Sequence, residues 1–234
     1  MNNNLLQIKI KERLNKLASL DYDNIECWQI VEAFNKAQFE WVRSQVHGNN
    51  LRKEGDESTK MLIDDLQKLL TNEPLPVTSK DAGKYFLTND IPADYLYFKR
   101  LSINSVVECC GSREMVVYLA EAADVNNLLV DAFKKPSAEW GETFAVMADN
   151  KYEIYANKEF TVANVVLTYY RKPVQISFDN CTDIATGNPT ANVECEFKDD
   201  IVELIIDNTC SILAGDMELF NQHTRTRQNE QINN

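Results

Sequence analysis

A helix predicted between Asp199 and Phe220 constrains the fold more than any other feature of the sequence. At about 3.6 residues per turn, its apolar side chains fill roughly half of the helix circumference, and acidic and polar side chains fill the rest. A helix on a protein surface needs only a narrow apolar stripe, so this one must be covered over nearly half of its girth. The apolar positions are Ile201, Val202, Ile205, Ile206, Cys210, Ile212, Leu213, Met217, Leu219 and Phe220.

A second helix, predicted over residues 25–47, has a matching apolar half that includes Trp28, Phe34 and Trp41. Aromatic side chains bury a large area, and a stripe this wide indicates a core position or, alternatively, a subunit interface. Gly48 follows the helix, where glycine commonly ends helices. We therefore expect helices 25–47 and 199–220 to pack on each other. Shorter helices are predicted over residues 5–19, 61–70 and 121–133.

The middle of the chain changes to an alternation of apolar and polar residues, which is typical of strands. The pattern predicts one hairpin from residues 95–109 and 115–119, with Gly111 and Ser112 in its turn. A second hairpin is predicted from residues 152–156 and 160–170. Residues 71–94 contain several prolines and no clear period, so we expect an extended connection there.

These elements predict an α+β fold class: a helical bundle from the N- and C-terminal helices with a central antiparallel β-rich region. Residues 1–72 and 195–222 are assigned to the helical bundle. Residues 80–180 are assigned to the β-rich region, and residues 221–234 to a flexible tail with almost no apolar residue.

The net charge of −12 argues against a protein that binds nucleic acid through its phosphates. No apolar run reaches the roughly 18 residues of a membrane span, so no membrane partner is expected. The first residues show no secretory signal pattern, and none of the six cysteines forms a C-x-x-C pair. We therefore expect reduced thiols and synthesis in a cytosol.

Residues that carry enzyme chemistry are scarce. His47 and His223 are the two histidines, and the sequence has no zinc-ligand spacing, nucleophile elbow or glycine-rich phosphate loop. The vicinal pair Cys109–Cys110 has no basic partner close in sequence. We predict no catalytic residue, no cofactor and no metal, and expect that the protein is not an enzyme.

Three charged residues are candidates for contacts between chains. Asp216 falls inside the apolar arc of the last helix, where it is either a side chain at a frayed end or one member of an ion pair with a neighbouring helix or subunit. Arg225 and Arg227 lie in the polar tail, where bidentate pairing with a carboxylate of an adjacent copy is expected; a solvated tail is the alternative. We also expect the 179–194 loop to become ordered only when a neighbour binds.

Two stretches resemble a known family. The first is the strand Val165–Pro173, and the second joins Cys195 to the helix beginning at Asp200 and ending in Ala214–Phe220. They resemble the virion ring, or head-to-tail connector, proteins of crAss-like and related tailed phages. The layout is also similar to the tail adaptors of short-tailed phages. The resemblance covers roughly residues 95–222.

The resemblance implies a phage structural protein that forms a homo-oligomeric ring of about twelve copies below the portal. Its partners would be other copies, the portal protein and further tail or ring proteins. DNA would pass through the lumen without specific binding, as an acidic channel allows. The location would be the virion, assembled in the host bacterial cytoplasm. The alternatives are another virion tail or ring component, or a non-virion binding protein.

Overall fold

In a computed structural model of the protein, the structure describes residues 1–15, 25–49, 53, 55, 60–107, 111–183 and 186–216. Within these residues the α-helices are α1 (Asn3–Asn15), α2 (Cys27–His47), α3 (Lys60–Leu66), α4 (Val125–Val130) and α5 (Asp199–Asp216). The strands are β1 (Leu70–Leu75), β2 (Val77–Lys80), β3 (Tyr85–Thr88), β4 (Tyr95–Val107), β5 (Gly111–Leu119), β6 (Glu142–Ala148), β7 (Lys151–Tyr155) and β8 (Thr161–Arg171).

The chain forms two compact units. The first combines Met1–Lys68 with Pro173–Asn234, and the second is the continuous stretch Leu69–Lys172. The chain enters and leaves the second unit through β1 and β8, which pair antiparallel. At this point the Arg171 N–H donates to the Leu69 carbonyl at 2.9 Å, so the two ends of the inserted stretch are neighbours.

One eight-stranded sheet makes up most of the second unit, in the order β1-β8-β4-β5-β6-β7-β3-β2. Neighbours pair antiparallel except β5 and β6, which run parallel, so the sheet is mixed. The sheet curls, and its two outermost strands, β1 and β2, are joined in the chain by Pro76 alone. Pro74 and Pro76 lack an N–H, which a strand can tolerate at the edge of a sheet.

The core of this unit comes from the alternating pattern of its long strands. Leu101 of β4 lies opposite Val117 of β5 and Leu167 of β8. Two positions on, Ile103 lies opposite Met115 and is also buried. Because alternate residues of a strand face one side, these rows of buried side chains form a continuous apolar layer across the sheet.

Strand β6 was missed because it does not alternate. Thr143, Phe144, Ala145 and Val146 are all buried, so both faces of the strand are covered, and a strand covered on both faces reads as a continuous apolar run. Strand β7 follows after two residues, Asp149 and Asn150, both with positive φ as a tight hairpin turn requires. The predicted hairpin between 152–156 and 160–170 is wrong: β7 pairs with β6 and β3.

In the first unit, α2 and α5 contact each other, which confirms the predicted pairing of these helices. Trp41 of α2 lies edge-on to Phe197, just before α5, with ring centroids 5.1 Å apart. Helix α1 adds to this pair, because Lys9 forms an ion pair with Glu203 of α5, and Arg13 with both Glu203 and Asp207. Ile205 and Ile206 of α5 are completely buried.

The predicted fold class, α+β with a helical bundle from the N- and C-terminal helices and a central antiparallel β-rich region, is wrong. The described chain is organised around one large, curled, eight-stranded mixed sheet, and its five helices do not make up a helical bundle. Residues 71–94, expected to be a connection, contain most of β1 and all of β2 and β3; β1 and β2 are the edge strands of the sheet, and Pro74 is tolerated in β1 for that reason. Gly111 and Ser112, expected in a turn, are paired in β5.

Residues 173–198 are held largely by side chains of the first unit. Asn35 accepts from the Ile176 N–H at 2.8 Å and donates to the Ile176 carbonyl at 3.2 Å, and Gln38 donates to the Val174 carbonyl at 2.9 Å. Ser177 and Val193 exchange two backbone hydrogen bonds. The described part of the 179–194 loop therefore has contacts within its own chain, and the expectation that it orders only on binding a neighbour is wrong.

Candidate interaction surface

The three charged residues proposed for contacts between chains are not brought together within the described part of the structure. Asp216 is the last residue of α5, and its side chain lies outside what the structure describes. Arg225, Arg227 and the predicted tail 221–234 are outside the described residues altogether. Their proposed role at a subunit contact stays a prediction.

The cysteines differ from expectation. Cys27 and Cys181 form a disulfide, with their Cα atoms 5.9 Å apart, so the expectation of reduced thiols is wrong for this pair. The amide side chains of α2 hold the chain at 174–176 against the helix and so bring Cys181 to the helix start. Disulfides of this kind occur in oxidising settings, which include the virion surface.

The other described cysteines, Cys195 and Cys210, are buried. Burial raises the pKa of the Cys195 thiol, and it raises the pKa of Cys210 to about 12. The thiolate is the reactive form, so neither side chain is set up as a nucleophile near neutral pH. Cys109 and Cys110 lie outside the described residues.

Among the residues that the structure describes, no group of three or more His, Cys, Asp or Glu side chains is arranged to hold a metal ion. The described helices also include none that combines the length and the apolar character needed to cross a membrane. The most distinctive surface of the molecule instead lies on the crossover between β5 and β6.

This crossover, residues 120–141, is fixed in place by several hydrogen bonds. The Arg113 guanidinium donates to the Ala138 and Glu139 carbonyls at 2.9 and 2.8 Å. Gly141 has a φ of 71°, and a side chain there would press on the Arg113 guanidinium at 3.1–3.2 Å. The Gly141 carbonyl accepts from the Val116 N–H at 3.0 Å. The end of the crossover is thus tied to β5 at both backbone and side chain.

Large apolar side chains on this fixed segment point to solvent. Phe133 is 89% exposed, Val130 85% and Trp140 72%. They adjoin the end of β5, where Val116 and Tyr118 on the outer face and Leu119, the last residue of the strand, are about half exposed. We call these six residues the aromatic surface: Val116, Tyr118, Leu119, Val130, Phe133 and Trp140.

A groove of about 490 Å³ runs through the aromatic surface. Tyr118, Leu119, Phe133 and Trp140 line it, with Leu128 from α4. From the usual size of these side chains, the aromatic surface exposes on the order of 700 Å². Apolar patches larger than a few hundred Å² are rare on monomers and mark interaction sites, and a standard interface buries about 800 Å² per partner.

The charged groups around the groove have mixed signs. Glu121, Asp124 and Glu142 lie along it together with Lys134 and Lys135. The Tyr118 hydroxyl donates to Glu142 at 3.2 Å, and the carboxylate charge raises the pKa of Tyr118, so the phenol stays neutral. A mixed rim around an apolar centre is the usual anatomy of a protein–protein interface.

No pattern in the sequence predicted this surface, and residues 121–133 were expected to form a short helix. One signal was available: Phe133 and Trp140 are large aromatic residues within an otherwise polar and charged stretch, and loops are where exposed aromatic residues commonly bind partners.

A second hollow, of about 630 Å³, lies along α2 and the disulfide. Trp28 and Phe39 line it and are half buried, so the apolar stripe of α2 is wider than the area that the chain covers. Part of the predicted core face of α2 is therefore accessible.

No model of a protein family matches the chain, and a search of curated proteins finds no match.

Proposed function

We propose that the chain is a structural protein of a tailed-phage virion, which forms an oligomeric ring in the connector below the portal. The ring joins the capsid to the tail and encloses the channel through which DNA passes. The proposal rests on the resemblance of residues 95–222 to such proteins and no longer includes a helical bundle.

The observation that carries the proposal is the aromatic surface. Its three most exposed side chains stand on a crossover anchored by Arg113 and the other three on β5, so they are presented to solvent in a fixed arrangement. Rigid aromatic side chains lose little conformational entropy on binding and dominate interface energies. A surface of this size is suited to an assembly protein, because exposure in a monomer carries an aggregation risk.

The charge of the chain also supports a channel role. With a net charge of −12, the acidic residues outnumber the 24 lysines and arginines, so the protein as a whole does not attract phosphates. A DNA molecule that moves through a ring must not be held by it. The same charge is less suited to a protein that binds nucleic acid for regulation.

The test is to purify the chain alone and with the portal protein from the same genome, and to measure particle mass and electron-microscopy images. We expect rings on the order of twelve chains that bind the portal. A chain that stays monomeric with portal present contradicts the proposal. Rings that form but do not bind the portal also contradict a connector and favour another ring or tail component.

A further inference from the structure

We propose that the groove of the aromatic surface binds helix α1 of a second copy of the chain, through Leu5 and Ile8. This inference rests on the proposed ring and names the contact that builds it. The contact joins two different surfaces, a groove on one copy and a helical ridge on the next.

Helix α1 has two apolar sides, and only one of them is covered. Leu6, Ile10 and Leu14 are buried, whereas Leu5 is 47% and Ile8 61% exposed. Residues three apart lie side by side on a helix, so Leu5 and Ile8 form a short ridge. In the described part of the first unit, this is the one pair of exposed large apolar residues at such spacing; Ile63 and Val174 stand singly.

The ridge and the groove suit each other in shape. An amphipathic helix that lays two or three apolar side chains into a groove is a recurrent mode of recognition. The groove is concave and lined by Tyr118, Phe133 and Trp140, so it cannot be filled by the same groove of another copy. The exposed area of the aromatic surface, on the order of 700 Å², is close to what one side of a stable interface buries.

Charge supports the same occupant. Three carboxylates and two lysines line the groove, and Lys135 has its Nζ 3.9 Å from Glu159. On α1, Glu12 lies one turn beyond Ile8 on the exposed face, and Lys11 beside it is partly exposed. A docked ridge would bring this carboxylate and this ammonium group to a rim that carries both signs of charge, where pairing of opposite charges favours one orientation.

A contact between two unlike surfaces leaves a free groove on one end of every pair and a free ridge on the other. Such contacts propagate, and they close into a ring when the rotation between successive copies closes; otherwise they give an open filament. A contact between two identical surfaces would stop at a dimer. The asymmetry therefore connects this pair of surfaces with the proposed ring.

The experiment uses one variant of each surface in the full-length chain. Phe133→Asp places a charge in the groove, and Ile8→Asp places one on the ridge. Both positions are exposed, so the monomer should fold normally, which circular dichroism and the melting temperature check. Ile63→Asp is the matched control, because Ile63 is 47% exposed on α3 and belongs to neither surface.

We expect each variant alone to weaken self-association about 30-fold or more, as loss of a central interface residue does. An equimolar mixture of the two should form a 1:1 dimer and grow no further, since the groove of one variant and the ridge of the other remain intact. The control should assemble as the wild type does. Sedimentation or mass photometry, with and without portal, provides the masses.

Several outcomes overturn the proposal. If Phe133→Asp is monomeric while Ile8→Asp still assembles, the groove binds something other than α1. If both variants assemble normally, or a wild-type chain never self-associates even with portal, the contact does not exist. If each variant alone still forms rings that bind the portal, this contact is overturned and the connector function is kept. If the wild-type rings are lost in both variants but do not bind the portal, the contact is supported and the connector function is overturned.

Discussion

At the scale of single residues, two amide side chains of α2, one buried and one half-buried, take the place of a missing strand partner. Asn35 and Gln38 of α2 satisfy backbone groups of Val174 and Ile176, which run beside the helix without a strand partner there. A buried backbone group without a partner costs free energy comparable to a lost hydrogen bond. Single amides on α2 thus determine the path of an irregular segment.

Asn3 adds side-chain donations to the same segment from the N-terminal side. It is 3% exposed, and its amide nitrogen donates to the Ser177 and Val193 carbonyls at 2.9 Å, in addition to the backbone hydrogen bonds that these two residues exchange. Asn3→Ala removes these donations while each carbonyl keeps its backbone donor, so we expect a loss of about 0.5–1.5 kcal/mol in the free energy of unfolding, measured by urea denaturation. Asn4→Ala, at an exposed position on the same helix turn, should stay within about 0.5 kcal/mol. Equal stability of the two variants would contradict the role of Asn3.

At the scale of elements, the sequence predicts helices better than it predicts strand pairing. Helices α2 and α5 begin and pack as their apolar stripes indicate, because a helix pattern is local. Strand partners depend on contacts distant in sequence, so β7 was paired with the wrong strand and β6, buried on both faces, was missed. Asp149–Asn150 was a usable hairpin signal.

The expectation of reduced thiols was wrong for a related reason. Cys27 and Cys181 are 154 residues apart, and no local sequence pattern joins them. The aromatic surface shows the same limit, since Trp140 and Tyr118 meet only through the parallel pairing of β5 with β6. The exposure of a side chain depends on the folded chain, so composition alone does not predict it.

The disulfide should stabilise the first unit strongly, because it closes a loop of 154 residues. Long loops lose the most conformational entropy in the unfolded chain when they are cross-linked. We expect a reducing agent to lower the free energy of unfolding by about 2–5 kcal/mol, measured by urea denaturation with and without dithiothreitol. The double variant Cys27→Ser/Cys181→Ser should not respond to dithiothreitol. Alkylation of both cysteines without reductant, at unchanged stability, would contradict the disulfide.

At the scale of the whole molecule, the second unit is a continuous stretch with its own core. The buried residues of its sheet, from Leu75 to Tyr169, form one apolar cluster within residues 69–172. The first unit is built from two separate parts of the chain and depends on both. This organisation predicts different behaviour for fragments of the two units.

A fragment of residues 69–172 should fold by itself. We expect a β-rich circular dichroism spectrum and a cooperative urea transition, with a free energy of unfolding on the order of 5 kcal/mol. Leu167→Asp should abolish this transition, because Leu167 is completely buried and the charge would have no partner. Absence of a cooperative transition in the unmodified fragment, when the full chain shows one, would count against an independent core.

The hydrogen bond between Arg171 and Leu69 has a consequence for the history of the gene. The chain leaves the first unit and returns to it at two points on neighbouring strands, spaced about 5 Å apart. Recombination could replace the coding sequence between these two points with that of another domain. If the ends of the new domain were equally close together, the two flanking parts of the first unit would have only a short gap to span. Helices α1, α2 and α5 would keep their contacts while the exposed face of the inserted stretch changed, so the gene can diversify what the protein binds without rebuilding the first unit.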